Sequence, residues 1–451
     1  MKRAAFNKKS LLWFGQSGSK ASFARITESV IKHLNFDITV LSGCPVQGYK
    51  FIKVGSPTSI MTFEDYNKAS TNGDTQLERM QKYIVIQIAD ILYSNSFHYL
   101  LICNGFTECI SLYNSIALIP RKIMKKTKLV FWTPIDYIPI YSQLKDITNC
   151  DLFITMTPVM AAIIKDTLRD FKDNIVSVGH GHDNFSEVDK LSRQEVYDIL
   201  KNLTFYSGKL SLDDVVILNA NNIKNTDRKR LDITIDAFAK VITSAKRSNN
   251  SKYDNVKLWL HTYLPNLPII PECIKDRVIL SQIGISDYEL GLIYKFCQIG
   301  LQTSTGEGWS LTNCEHSLLG ALQIVPDFLA TKYHFGNSSF VEDEEQTQRG
   351  FIKDEEQPQR GFIKDEEQPQ RGLLIPIKVC INSEGLKIGV VSVEDTSIYI
   401  IKAINIIKNN TYFDLVNKAN ITLKQYTWKS VAEQLETYLN NINMLKDRNL
   451  V

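Results

Sequence analysis

The sequence predicts a two-domain α/β protein, each domain built on a parallel sheet covered by helices. Three observations carry this. The chain has 451 residues, more than one hydrophobic core usually serves. Short apolar runs alternate with helical patterns. The alternation restarts after a polar stretch at 207–214. An apolar fraction of 44% supplies material for two cores, and the charged fraction of 22% is ordinary for a globular chain.

In the first half, the runs at 11–14, 36–41, 99–103, 128–132, 151–155 and 174–178 read as strands. Phe23, Ile26, Val30, Ile31 and Leu34 recur at helical spacing. Short apolar strands separated by helices imply βαβ units and a parallel sheet buried on both faces. In the second half, strands are expected at 215–218, 256–260, 277–280, 299–303 and 322–325, with a helix over 231–243. After 396 the pattern is helical, with helices expected at 398–407 and 428–445. The expected division is therefore 1–206, a linker at 207–214, 215–405, and helices over 406–451 that pack back toward the N-terminal domain. The second domain carries a low-complexity insertion at 343–372, whose copies begin at Asp343, Asp354 and Asp365. Each copy holds two apolar residues, too few for a core of its own, so it reads as an exposed acidic loop.

Several function classes lose support. The formal net charge of +3 gives no footprint for nucleic acid. The eight cysteines are scattered without a C-x-x-C pair, which suggests buried thiols in a reducing compartment rather than disulfides or a thiolate metal site. His180 and His182 are close in sequence, but no further ligand cluster accompanies them, so no metal is expected. The apolar run after the basic start is too short for a signal peptide, and no run reaches the roughly 18 residues of a membrane span. A cytoplasmic protein is expected. Membrane contact is peripheral at most, through the basic stretch at 121–128, which reads first as a solvated basic turn. A dinucleotide-binding dehydrogenase needs G-x-G-x-x-G after the first strand, and Gly15 and Gly18 lack the middle glycine.

The most informative stretch is 299–327. A buried strand feeds the turn Thr305-Gly306-Glu307-Gly308-Trp309-Ser310, which opens a helix at Leu311 that ends at Gly320. Amides at such a helix start suit a diphosphate, because the dipole and the unpaired N–H groups face the anion. Gly306 and Gly308 would let a ligand approach the backbone. Glu307 and Glu315 are eight residues apart. Were the intervening turn helical, they would stand about 12 Å apart along the axis. That is too far for the carboxyl pair of a retaining glycosidase, and it suits two ends of one long ligand. A second element, at 216–238, ends a strand in a polar loop containing Asn222 and Lys224, followed by Arg228-Lys229-Arg230 before a helix. Cations there can neutralise a leaving diphosphate; a solvated basic loop is the alternative.

These residues resemble the donor site of the retaining GT-B glycosyltransferases often called glycosyl transferases group 1 (family 4), whose motif is a glutamate, seven residues and a second glutamate. The resemblance implies two Rossmann-like domains facing a cleft. It implies that Glu307 contacts the transferred sugar and Glu315 the ribose diol, with Ser310 where a second glycine is usual. Lys229 matches the family's lysine, with Arg228 beside it. The family's arginine position is Asn222, a departure for which Lys224 is the substitute. The turn Gly15 to Ser19 resembles the glycine-rich loop facing the cleft, placing Gly18 in the donor-binding set. Trp132-Thr-Pro-Ile-Asp136 resembles a strand-end segment near the reaction centre, with a turn aspartate as the other reading. The segment 179–185 resembles the family's His-Gly-Val-Asp, which puts His180 near the donor or makes it a structural histidine.

The implied function is retaining, metal-independent transfer of a hexose-type sugar from a nucleoside diphosphate sugar, with no cofactor. The acceptor, whether glycan, lipid or protein, is not readable. An inactive nucleotide-sugar-binding or scaffold protein on the same fold is the alternative. Selection of the donor base is expected from backbone contacts near 282–286.

Overall fold

In the computed structural model the order of the strands explains where a site can form. The structure describes residues 8–18, 22–54, 76–105, 112–113, 115–116, 119–182, 185–203, 210–221, 226–262, 269–282, 284–336, 370–383 and 385–447. Asn222, Lys224 and most of the acidic repeat lie outside these residues.

The first unit comprises residues 1–135, 139–181 and 428–451. Its strands are β1 (Ser10–Gly15), β2 (Asp37–Ser42), β3 (Lys50–Lys53), β4 (Tyr99–Cys103), β5 (Lys128–Trp132), β6 (Leu152–Thr155) and β7 (Ile175–Ser177). They form one parallel sheet in the order β3-β2-β1-β4-β5-β6-β7. Helices α1 (Ser22–Val30), α2 (Gln76–Ser94) and α3 (Pro158–Thr167) belong to the crossovers. β1, β4, β5 and β6 are buried almost throughout, as expected of strands covered on both faces.

The second unit comprises residues 136–138 and 182–427. Its six-stranded parallel sheet has the same winding, β10-β9-β8-β11-β12-β13. The strands are β8 (Val215–Asn221), β9 (Val256–Thr262), β10 (Val278–Ser281), β11 (Ile299–Leu301), β12 (Leu322–Pro326) and β13 (Leu373–Ile375). Helices α4 (Arg193–Leu200), α5 (Leu231–Arg247), α6 (Asp287–Phe296), α7 (Leu311–Leu318) and α8 (Leu329–Phe335) surround it. A hairpin of β14 (Lys378–Ile381) and β15 (Lys387–Val390) follows, then α9 (Val393–Lys408) and α10 (Phe413–Leu423). The last helix, α11 (Trp428–Asp447), belongs to the first unit, where Glu436 accepts from the Asn35 amide at 3.1 Å.

The division at Gly181/His182 falls ahead of the polar segment at 207–214 because Val188, Val196, Leu200 and Leu210 share a core with Leu218, Trp259 and Tyr294. The winding order 3-2-1-4-5-6, extended by a seventh strand in the first sheet, is that of a Rossmann fold. Ligands of such sheets bind beyond the carboxyl ends of the strands where the order reverses. In the second unit that place is between β8 and β11.

Candidate functional site

The carboxyl ends of β8 and β11 are tied together by side chains. Asn219 Nδ2 donates to Thr234 Oγ1 at 2.9 Å, and Thr234 Oγ1 lies 2.8 Å from Thr303 Oγ1. Thr303 also donates to the Arg230 carbonyl at 2.8 Å. This network fixes the start of α5 against the end of β11. Both helices that begin here have a left-handed residue at the N-cap and no side-chain cap: Arg230 at φ 45° before α5, and Ser310 at φ 69° before α7. At α5 the Asp232 carboxylate accepts from the amides of its own first turn, whereas at α7 the N-cap side chain leaves that role unfilled.

Four charged side chains gather at this point. Lys229 Nζ pairs with Glu307 Oε1. Arg228 Nη1 lies 2.8 Å from Asp136 Oδ2 and 3.6 Å from Glu307 Oε1, and it donates to the Gly306 carbonyl at 2.9 Å. Gln302 Nε2 donates to the same Glu307 oxygen at 3.0 Å. The Lys229 and Glu307 side chains keep 11% and 10% of their surface. Burial lowers the Lys229 pKa while Glu307 works against it. For Glu307, burial pushes upward, but Lys229 and Arg228 outweigh it and hold the carboxyl below its ordinary range. The turn itself is clamped on both sides. The Thr305 amide donates to the Arg228 carbonyl at 2.8 Å, and the Gly389 amide of β15 donates to the Thr305 carbonyl at 2.9 Å. The amide of Ile138 donates to the Lys387 carbonyl at 3.0 Å, which moors the segment carrying Asp136.

Several expectations change in the folded chain. The stretch between Glu307 and Ser310 is not helical, since α7 begins at Leu311, so the 12 Å axial spacing of the glutamates does not apply. Gly306 does not leave room for a ligand. A Cβ there would stand 1.7 Å from the Asp136 carbonyl oxygen, so the chain itself makes the close approach. Gly308 and Leu311 are half-buried. Trp309 is buried among aromatic rings, 4.3 Å from His334 and 4.9 Å from Tyr426 between centroids. Glu315 has no exposed surface. Ser310 occupies a conformation that favours glycine, which costs a side-chain-bearing residue roughly 1–2 kcal/mol. Its Oγ donates to Asn313 Oδ1 at 2.9 Å.

Gly18 and His180 belong to the first unit. Gly18 is left-handed at φ 70°, and its amide donates to Glu28 Oε1 at 2.9 Å. His180 is buried, its ring edge-on to Trp132 at 5.6 Å. Sequence reasoning missed Gln302, hidden at the end of a run read as an apolar strand, and the hairpin, whose short strands carry little pattern. Among the described residues, no group of three or more His, Cys, Asp or Glu side chains is arranged to hold a metal, and no helix is long and apolar enough to cross a membrane. Beside the ion cluster lies a small polar cavity of about 10 Å³, room for about one water, lined by Leu218, Ala220 and Asn221 of β8, Tyr294, Leu301, Gln302, and Thr312, Asn313 and His316 of α7.

No family model matches the chain. No curated protein matches it either. Among solved structures it is similar to a UDP-forming α,α-trehalose-phosphate synthase from Burkholderia xenovorans, with 9% identity over 97% of this chain and 99% of the other and a TM-score of 0.64. The catalytic domain of starch synthase IV from Arabidopsis thaliana, bound to ADP and acarbose, is 11% identical over 97% and 99%, with a TM-score of 0.59. HepE from Anabaena, in complex with UDP-glucose, is 12% identical over 96% and 99%, with a TM-score of 0.58. At such identities the likeness concerns the fold. The chain has the GT-B architecture, two Rossmann-like domains each with its own parallel sheet.

Proposed function

We propose that this chain is a retaining glycosyltransferase that moves a hexose-type sugar from a nucleoside diphosphate sugar to a glycan, lipid or protein acceptor, in the cytosol and without a metal. The observation that carries the reading is the placement of Arg228 and Lys229 at the strand-order reversal, between two helix starts and against Glu307. Two cations beside the N-terminus of α7 suit a diphosphate dianion. Solved structures of this fold hold ADP in one case and UDP-glucose in another, which supports the same ligand class.

In the structure Arg228 pairs with Asp136 and Lys229 with Glu307. An arriving diphosphate takes the place of these carboxylates on Lys229 and Arg228. Glu307 and Asp136 are then released to accept hydrogen bonds from sugar hydroxyls. During transfer the bond from the anomeric carbon to the phosphate oxygen breaks and a bond to the acceptor oxygen forms on the same face. The acceptor's proton passes to the leaving phosphate. Negative charge grows on that phosphate, where Lys229, Arg228 and the amides near Ser310 and Leu311 stabilise it. Glu315 contacts the ribose in this reading, which requires the residues covering it to give way.

Thermal denaturation with a panel of nucleoside diphosphates and their sugars tests the reading. Binding raises the melting temperature by mass action, and Lys229→Ala removes the rise. No shift with any member of the panel, together with no donor hydrolysis or transfer, rejects it.

A further inference from the structure

A second polar device lies on the same sheet, outside the ion cluster. At the ends of β9 and β10, Trp259 Nε1 donates to Ser281 Oγ at 2.9 Å, and Ser281 Oγ lies 2.8 Å from His261 Nδ1. An indole N–H is a donor only, so Ser281 Oγ is its acceptor and the hydroxyl proton is free for His261. Donation of that proton to Nδ1, the other polar atom beside Ser281 Oγ, makes Nδ1 the acceptor, and the neutral ring then carries its proton on Nε2. Burial lowers the pKa of this ring from the ordinary 6.5 to about 4, so it stays neutral near pH 7. Trp259 and Ser281 are buried, whereas His261 is half-buried. The relay converts two enclosed side chains into one oriented N–H donor.

The strand register places that donor. His261 pairs with Ala220 of β8 on one side and Ser281 of β10 on the other. Partners in adjacent strands share a face and stand about 4.8 Å apart. Ala220 lines the polar pocket beside the ion cluster. The His261 ring therefore lies on the pocket's face of the sheet, one strand further from β11 than Ala220. A nucleotide whose diphosphate rests at the reversal point can lay its base along this carboxyl edge.

Resting on the proposed function, we infer that His261 selects the donor's nucleobase, donating from Nε2 to a ring oxo group and disfavouring an amino group at the same position. Uracil and guanine satisfy this donor. Cytosine and adenine place an N–H against it, and two facing donors leave both unpaired.

The test is calorimetric titration of the full chain with two matched pairs, UDP against CDP and GDP against ADP, for the native protein, His261→Phe and His261→Gln. In whichever pair binds, the oxo base is expected to bind about tenfold tighter or more. His261→Phe brings the members of the pair within about twofold by weakening the oxo base. His261→Gln takes both, because a side-chain amide can present either its N–H or its carbonyl. Unchanged circular dichroism in the variants shows that the fold is retained. Equal affinities in the native protein, or a preference that survives in His261→Phe, overturns the inference and leaves the diphosphate site standing. Failure of all four nucleotides to bind removes both.

Discussion

Lys229 and Glu307 are each buried, and neither is stable there without the other. Lys229→Met leaves the Glu307 carboxylate with Arg228 at 3.6 Å and is expected to cost about 3 kcal/mol. Adding Glu307→Gln should recover most of that stability, because an amide needs no counter-ion, while sugar transfer stays abolished. Urea denaturation beside a transfer assay separates the two effects. Recovery of transfer in the double variant would contradict the assigned roles. Gly306 makes a second prediction. Gly306→Ala forces a Cβ into the Asp136 carbonyl, so the turn or the 136–138 segment must move. Nucleoside diphosphate affinity should fall at least tenfold, about 1.4 kcal/mol, whereas Gly320→Ala, at a site open to solvent on the Cβ side, should bind nearly as the native chain does. Glu307 and Lys229 were legible because a glutamate motif and a cation before a helix are local patterns. Asp136 carried no such signal of its partner, since Arg228 is far away in sequence.

At the scale of the element, α7 does two jobs. Its uncapped start faces the candidate site, and its second turn buries His316, whose Nε2 donates to the Cys297 carbonyl at 2.8 Å and whose ring stacks on Tyr294 at 5.3 Å. Burial lowers the His316 pKa from 6.5 to about 4. The unfolded chain takes up a proton near 6.5, and the folded chain resists it until about 4. Stability is therefore full above pH 6.5 and falls as the pH drops through that window. Each unit of difference corresponds to about 1.4 kcal/mol. Urea midpoints measured between pH 7.5 and 4.5 should decline, and His316→Gln should decline less steeply. The strands β1, β4, β5, β8 and β9 could be read directly, because strands buried on both faces are apolar runs. β3, β13 and the hairpin could not. Lys50–Lys53 has exposed ends, β13 is three residues long, and β14 is mostly exposed.

For the whole molecule, two units with separate sheets predict two unfolding steps. A nucleoside diphosphate at 100 times its dissociation constant should stabilise the step belonging to residues 182–427 by about 2.7 kcal/mol and leave the other step in place. Fluorescence reports both, since Trp13 and Trp132 lie in the first unit and Trp259 and Trp309 in the second. A ligand that shifts both steps equally would contradict a donor site held within the second unit.

The sequence alone determined the α/β class and the doubling of the sheet, and it supplied the proposal for where a diphosphate rests, because strand burial, helix period and a glycine-flanked turn are written in neighbouring residues. Tertiary structure decided which charges meet, what fills the space at Gly306 and which side chains meet the His261 ring. Those depend on strand order and register, which bring together side chains that no local pattern links.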